Sequence, residues 1–276
     1  MAKCKEGVRM ASRVKDVIKQ FEQLAPKEYA EKWDNVGLML GSIDSNVQKI
    51  LVTLDVTLHV VNEAIEKGID LIIAHHNPMF NPLANITLDN PQGKLITKLI
   101  KSEINLYCAH TNLDSCPGGV NDILADLLEL TDVKVLDKSS QVNTFDQNVG
   151  LGRVGILPQE TSLLEFIKQV KAALNIDSLR YVGNLDTKIK KVSLCGGSAA
   201  SLINDAINIG ADVFLTGDLK FHEAQDAENL GICLIDAGHF ATEVPVVKKV
   251  AAYLQNSFSE LEIIESKINT EPFKFI

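Results

Sequence analysis

The 276-residue sequence is poor in aromatic side chains, with one tryptophan and only six histidines, and its five cysteines form no Cys-x-x-Cys pair. An odd set of scattered thiols, at positions 4, 108, 116, 195 and 233, fits neither a disulfide framework nor a thiolate zinc knuckle. It suits reduced thiols in a cytoplasmic protein, with Cys108, Cys195 and Cys233 as core residues of apolar strands. Positive charge is also in deficit: 27 Lys and Arg stand against 36 Asp and Glu, a formal charge of −9. A duplex-binding surface needs a cationic excess to release counterions, so nucleic acid is not the expected partner. Long apolar runs are missing too. Stretches such as Leu71-Ile72-Ile73-Ala74 are strand-sized, far short of the roughly 20 residues that span a bilayer, and no membrane association is expected. The opening MAKCKEGVRMASRVKD lacks the continuous apolar segment of a secretory signal, and Met10 is a second candidate start.

What is present is a chain 46% apolar, long enough for about two domains of roughly 150 residues and able to bury a core without staples. Val14 to Leu24 has the apolar spacing of an amphipathic helix that stops at Pro26, and the lone Trp33 reads as a core anchor. The strand Ile50–Leu54 leads to Thr57 as N-cap of a helix that Gly68 ends, with Leu58, Val61 and Ile65 on one face. Strands at Leu71–Ala74 and Asn105–Ala109 alternate with helices near Gly93–Ser102 and Gly118–Leu130, the rhythm of a parallel sheet with covering helices. Further on, a strand near Val149–Leu157, a helix from Ser162 to Leu174 and a strand at Leu179–Val182 follow a polar linker, Ser139–Asn148. Val60–His76 laid over Leu202–Asp218, an offset of 142, matches Asn62, Ala64, Ile65, Gly68 and Asp70 to identical residues. Two related α/β units, about 49–130 and 190–255, follow from that match. The expected fold is α/β: two similar α/β domains, each a mixed or mostly parallel sheet with flanking helices. Residues 10–135 form the first, with a C-terminal return segment packed on it; 136–189 form a mixed connecting region, and 190–276 the second unit.

The histidines carry the chemistry. His75 and His76 directly follow one strand, His110 another, and His239 comes shortly after the strand Ile232–Asp236. In parallel α/β sheets ligands gather beyond the carboxyl ends of strands. His110-Thr-Asn-Leu-Asp114 and His239-Phe-Ala-Thr-Glu243 each place an acid four residues after an imidazole, close enough to converge at a helix start. Imidazoles with Asp and Glu, without Cys, suit Zn, Mn, Fe, Co or Ni in an N/O site. Five or six donors exceed the three that one catalytic ion commonly takes, so two divalent metal ions per chain are expected. His59 reads as structural. Asp218, His222 and Glu223 read either as groups supporting the site or as a capped helix start. Gly196-Gly197-Ser198 and Pro117-Gly118-Gly119 each read as a helix opening whose amides could cradle phosphate, though neither is a P-loop.

Taken together, Trp33-Asp34-Asn35-Val36-Gly37-Leu38, Ala74-His75-His76, Ala109-His110-Thr111-Asn112-Leu113-Asp114 with Gly118-Gly119-Val120-Asn121-Asp122, Thr216-Gly217-Asp218 and Gly238-His239-Phe240-Ala241-Thr242-Glu243 resemble the motifs of the Nif-three-like family, whose members are labelled GTP cyclohydrolase 1 type 2 homologues. The resemblance implies a dinuclear site between two α/β domains in a homohexamer built as a trimer of dimers. It implies His75, His76, Asp114, His239 and Glu243 as metal ligands, Glu243 bridging, and His110 as a ligand or close neighbour.

The resulting functional expectation is a metal-dependent hydrolase of cyclohydrolase or phosphoesterase type, acting on a small molecule, a nucleotide or phosphoester. His110, where it is not a ligand, would shuttle a proton or orient a ligand. The alternatives are a non-enzymatic metal chaperone or store, an oligomeric interaction platform, or a regulatory partner of transcription proteins.

Overall fold

The computed structural model describes residues 12–137, 146–274 and 276. Cys4, Met10 and all of the Ser139–Asn148 linker except its last three residues lie outside them.

The chain starts with β1 (Ser12–Arg13) and α1 (Val14–Leu24), whose Val14, Val17 and Phe21 recur at helical spacing and are fully buried. Phe21 meets Tyr107 edge-on at 5.5 Å between ring centroids, and burying such a ring contributes roughly 1.5–3 kcal/mol. β2 (Gly37–Leu40), β3 (Asn46–Val47) and β4 (Lys49–Thr53) follow, β3 pairing with β1. In α2 (Leu58–Lys67) the Thr57 hydroxyl accepts from Val60 N at 3.3 Å, and Gly68 ends the helix at φ +64°. Its buried face is Val60, Val61 and Ala64, while Ile65 points out: the stripe lies one position off the expected one. Then come β5 (Leu71–Ala74), α3 (Pro91–Lys101) capped by Asn90, β6 (Asn105–Cys108), the short α4 (Thr111–Ser115) and α5 (Val120–Leu127).

The second half runs through β7 (Thr131–Asp137), β8 (Leu151–Ser162), α6 (Leu163–Leu174), β9 (Arg180–Val182), β10 (Lys188–Ser198), α7 (Ile203–Asn208), β11 (Val213–Gly217), α8 (Phe221–Leu230), β12 (Cys233–Asp236), the one-turn α9 (His239–Glu243), α10 (Pro245–Ser257) and β13 (Glu262–Glu265).

Two mixed sheets result. The five-stranded sheet has the order β13-β4-β5-β6-β2, its first four strands parallel and β2 antiparallel. The six-stranded sheet has the order β7-β8-β10-β11-β12-β9, with β10, β11 and β12 parallel and the others antiparallel. One of the expected boundaries is therefore redrawn. The segment 136–189 is not a separate connector, because the long β8 finds its hydrogen-bond partners in β7 and β10, and β9 closes the far edge on β12. The C-terminal return segment is α10 and β13: α10 buries Val246, Val250 and Leu254 in the core that α1 and β4 share, and β13 pairs with β4.

The 142-residue offset reappears as geometry. Asp70 Oδ2 accepts from the amides of Gln48 and Lys49, and Asp212 Oδ2 from those of Lys190 and Lys191, all at 2.8–2.9 Å. Gly68 and Gly210 both end a helix at positive φ, 64° and 72°. Each unit thus uses the same carboxylate to tie the start of one strand to the turn before the next. Among the described residues no helix is long and apolar enough to cross a membrane. Cys108, Cys116, Cys195 and Cys233 are free and buried, and burial pushes the Cys116 thiol up to about 12.

Candidate metal centre

The two sheets turn the carboxyl ends of their parallel strands toward one another, and the side chains just past those ends meet. Past β4 stands Asp55, past β5 His75 and His76, past β6 His110, past β11 Asp218, and past β12 His239. The turns α4 and α9 add Asp114 and Glu243. All six residues expected from the sequence, His75, His76, His110, Asp114, His239 and Glu243, come together in three overlapping groups, each with one N or O atom per residue within 4.8 Å of the others.

The orientation of the imidazoles is uniform. His75 Nδ1 donates to the Ala109 carbonyl at 2.9 Å, His76 Nδ1 to Asp55 Oδ1 at 2.7 Å, His110 Nδ1 to Asp34 Oδ2 at 3.0 Å, and His239 Nδ1 to Asp218 Oδ2 at 2.7 Å. With Nδ1 carrying the proton, each ring presents Nε2 as its free nitrogen. For three of them the contacts show where Nε2 faces. His75 Nε2 lies 3.5 Å from Asp114 Oδ1 and 3.8 Å from Glu243 Oε1. His76 and His239 Nε2 lie 3.0 and 3.1 Å from Glu243 Oε2 and 3.3 Å from each other. Two lone pairs at that separation repel unless a proton or a cation lies between them. The buried atoms His75 Nε2, Asp114 Oδ1 and Glu243 Oε2 make no hydrogen bond, which leaves three polar groups at a cost unless a cation satisfies them. The donor set, imidazole nitrogen plus carboxylate without thiolate, fits a divalent transition metal.

The electrostatics follow from this crowding. Burial opposes a charge on Glu243, but His239, His75 and His76 hold its carboxyl well below the usual range. Asp114 is raised, mainly by burial. Burial works against protonating His76, yet Asp55 and Glu243 outweigh it and lift the ring to about 10; Glu243 and Asp218 likewise lift His239 to about 9. Asp34 resists burial through His110 and Thr111 and drops to about 2.

Glycines make room for these groups. Gly197, at φ +69°, lies so close that a Cβ there would stand 2.2 Å from Glu243 Oε1 and 3.2 Å from His239 Nε2. Gly196-Gly197 therefore belong to β10 and leave space for a carboxylate, and are not the helix opening expected from the sequence. Gly118-Gly119 do precede α5, but the Gly118 amide already donates to Asp122 Oδ2 at 2.6 Å. Asn121 ties the two halves together, donating to the Asp114 carbonyl at 3.0 Å and accepting from Gly196 N at 2.9 Å.

The Asp218-His222-Glu223 alternative resolves residue by residue. Asp218 orients His239, whereas Glu223 accepts from Lys220 N at the start of α8 and His222 is exposed beside Gln225. His59 is exposed on α2. Trp33 is no core anchor: it is 61% exposed and packs with Phe80 against His110, ring centroids 5.9 and 6.2 Å away, at the rim of the site. Sequence reasoning gave no role to Asp34 and Asp55, although Asp55 stands past a strand end just as the histidines do. Beside His76 and His239 opens a cavity of about 1030 Å³, walled by Phe240, Leu179 and the C-terminal residues Pro272 and Phe273.

Comparison with known proteins agrees with this architecture. A GTP cyclohydrolase 1 type 2 homolog of Clostridium perfringens is 41% identical over 265 residues, 96% of this chain and all of the relative. One from Streptococcus pneumoniae is 36% identical over 95% of this chain and 98% of its own length. The crystal structure of a Bacillus cereus protein related to NIF3 superposes with a TM-score of 0.90 at 30% identity, covering 96% of this chain and 99% of that one. The family model described as Duf34/NIF3 (NGG1p interacting factor 3) matches residues 12–272, and the chain belongs to that family.

Proposed function

We propose that the cluster holds divalent cations, two per chain, through His75, His76, Asp114, His239 and Glu243, and that the protein is a metal-dependent hydrolase of a small molecule. The observation that carries this reading is the common posture of the rings: every Nδ1 is engaged by an acceptor, and the Nε2 atoms of His75, His76 and His239 close on Glu243 and Asp114. Such fixed tautomers are what ligating imidazoles require. Bound divalent cations supply Lewis acidity and make water acidic near neutral pH.

The chain's own residues supply the rest. Glu243, between three imidazoles, has one oxygen toward His75 and the other toward His76 and His239, the disposition of a bridging carboxylate. His110, held by Asp34 and raised in basicity by it against the effect of burial, stands at the edge of the cluster, where it can pass a proton to a leaving group. Trp33 and Phe80 stand beside that edge as exposed aromatic rings on which a planar substrate can stack. The cavity beside His76 and His239 has the volume for a nucleotide-sized substrate, and the name of the relatives, GTP cyclohydrolase 1 type 2 homolog, points to the same class.

Metal-loaded protein assayed against nucleotides and phosphodiesters tests the proposal. Turnover that H76A abolishes while leaving the fold intact supports it. Metal uptake without turnover on any of these substrates, combined with transfer of the metal to an acceptor protein, would overturn the hydrolase reading in favour of delivery.

A further inference from the structure

The C-terminal tail reaches the site by a route fixed by topology. β13 runs parallel to β4, so the chain leaves the five-stranded sheet at the edge where Asp55, His75 and His76 emerge. Its first residues past β13 are held to the body: Ser266 N donates to the Val52 carbonyl at 2.9 Å, Ser266 Oγ to Glu63 Oε2 at 2.6 Å, and Lys267 N to Glu63 Oε1 at 3.1 Å. Beyond Lys267 the tail lies on the surface, with Phe273 68% exposed. There, among the described residues, the hydrogen bond joining it to the rest of the protein is that of Thr270 Oγ1 to Asp55 Oδ2. The other Asp55 oxygen is the acceptor for His76 Nδ1.

Both oxygens of Asp55 are thereby committed, one to the tail and one to the ring. Rotation about the terminal torsion of a carboxylate is soft, so one contact alone leaves its plane loosely defined, and two fix it. His76 needs such a fixed partner because its Nε2 stands within 3.3 Å of both Glu243 and His239.

We propose that Thr270 is a positioning residue: its hydroxyl orients Asp55, and Asp55 orients His76, so that docking of the tail and the grip of the site on a divalent cation are coupled. The proposal rests on the metal-binding reading above and adds to it a segment 215 positions away from Asp55 in the sequence. Coupling is reciprocal, so a bound cation tightens the tail as much as the tail tightens the cation. The same tail walls the cavity with Pro272 and Phe273, and its docking state therefore also sets the shape of that cavity.

The test is a Co²⁺ titration of the full chain, read by the visible absorption of the bound ion, on the wild type, T270V, T270S, D55N and the D55N/T270V double variant. Loss of an outer hydrogen-bond partner typically costs roughly 10- to 100-fold in affinity, the effect expected for D55N; Thr270 acts one step further out, and T270V should weaken binding by roughly 3- to 10-fold. T270S should restore wild-type affinity, and T270V should add nothing once Asp55 is Asn. Hydrogen exchange of the tail amides should slow on Co²⁺ addition in the wild type and stay unchanged in T270V. Wild-type affinity in T270V, failure of T270S to restore it, or full additivity in the double variant would overturn the role of the tail. Absence of Co²⁺ uptake by the wild type would instead remove the metal-binding reading itself, and the proposal with it.

Discussion

Substituting Gly197 by alanine puts the geometry of the centre under a defined load. Two effects add, and the structure separates them. At φ +69° an alanine is strained by roughly 1–2 kcal/mol, which lowers stability whatever surrounds it. The new Cβ would also stand 2.2 Å from Glu243 Oε1, where ordinary contact begins at 3.4 Å, so the carboxylate must retreat by about 1.2 Å. Metal–ligand distances tolerate about 0.2 Å. Glu243 is 3% exposed and its two oxygens lie among the imidazoles of His75, His76 and His239, so a retreat of that size moves it off them. G197A should therefore lose at least about 100-fold in divalent-metal affinity, about 2.8 kcal/mol at 1.4 kcal/mol per tenfold. G210A is the control: its φ is +72°, but nothing lies within 4 Å of its Cβ, so it carries the backbone penalty without the clash. Urea titration should show G210A destabilised by the backbone strain alone and G197A by at least as much, and chelator competition should show only G197A losing metal. Equal affinity in the two variants would refute the argument that Gly197 is kept bare for Glu243.

Three other expectations come from separate parts of the fold. Trp33, the sole tryptophan, has its ring 6.2 Å from that of His110, so its fluorescence should be strongly quenched by Co²⁺ and little by Zn²⁺; identical responses to both ions would contradict the placement of the ring at the rim. Arg153, 2% exposed, donates to Asp122 and to the carbonyls of Gly150 and Gly152 at 2.7 and 2.8 Å, and R153A should cost about 3–5 kcal/mol in urea unfolding; a loss below about 1 kcal/mol would show that this buried ion pair is not needed. Glu63 is held below the ordinary carboxylate value because Lys67, Ser266 and the Lys267 amide outweigh the effect of its burial. Its contribution is then fully present above a pH of about 4.3 and is lost as the pH falls through the lowered folded value. E63A should cost about 1.5–3 kcal/mol at neutral pH, with the gap to wild type closing in acid; a gap that widens in acid would reverse the sign assigned here.

Much of this architecture was legible because its signals are local. Thr57, Gly68 and the four apolar residues Leu71–Ala74 mark a cap, a stop and a buried parallel strand within a few positions of one another, and the histidines follow strand ends as ligands of α/β sheets do. What stayed hidden depends on distant pairing. The strands from 131 to 182 break the βαβ rhythm, because antiparallel neighbours are set by partners far away in the chain, and so read as a connector. Trp33 looked like core because bulk and apolarity predict burial, yet its neighbours are Phe80 and His110 at an open rim. Asp34, Asp55 and Thr270 act by orienting other side chains over separations of 76, 21 and 215 positions, a relation that leaves no periodicity or spacing to detect.

The central claim is that imidazoles from both sheets, together with Asp114 and Glu243, grip divalent cations. Anomalous diffraction from crystals soaked in Zn²⁺ tests it most directly. The account predicts peaks about 2.0–2.2 Å from the Nε2 atoms of His75, His76 and His239 and from the oxygens of Asp114 and Glu243. A map without a peak among these five side chains, or with zinc bound only elsewhere on the protein, would contradict it.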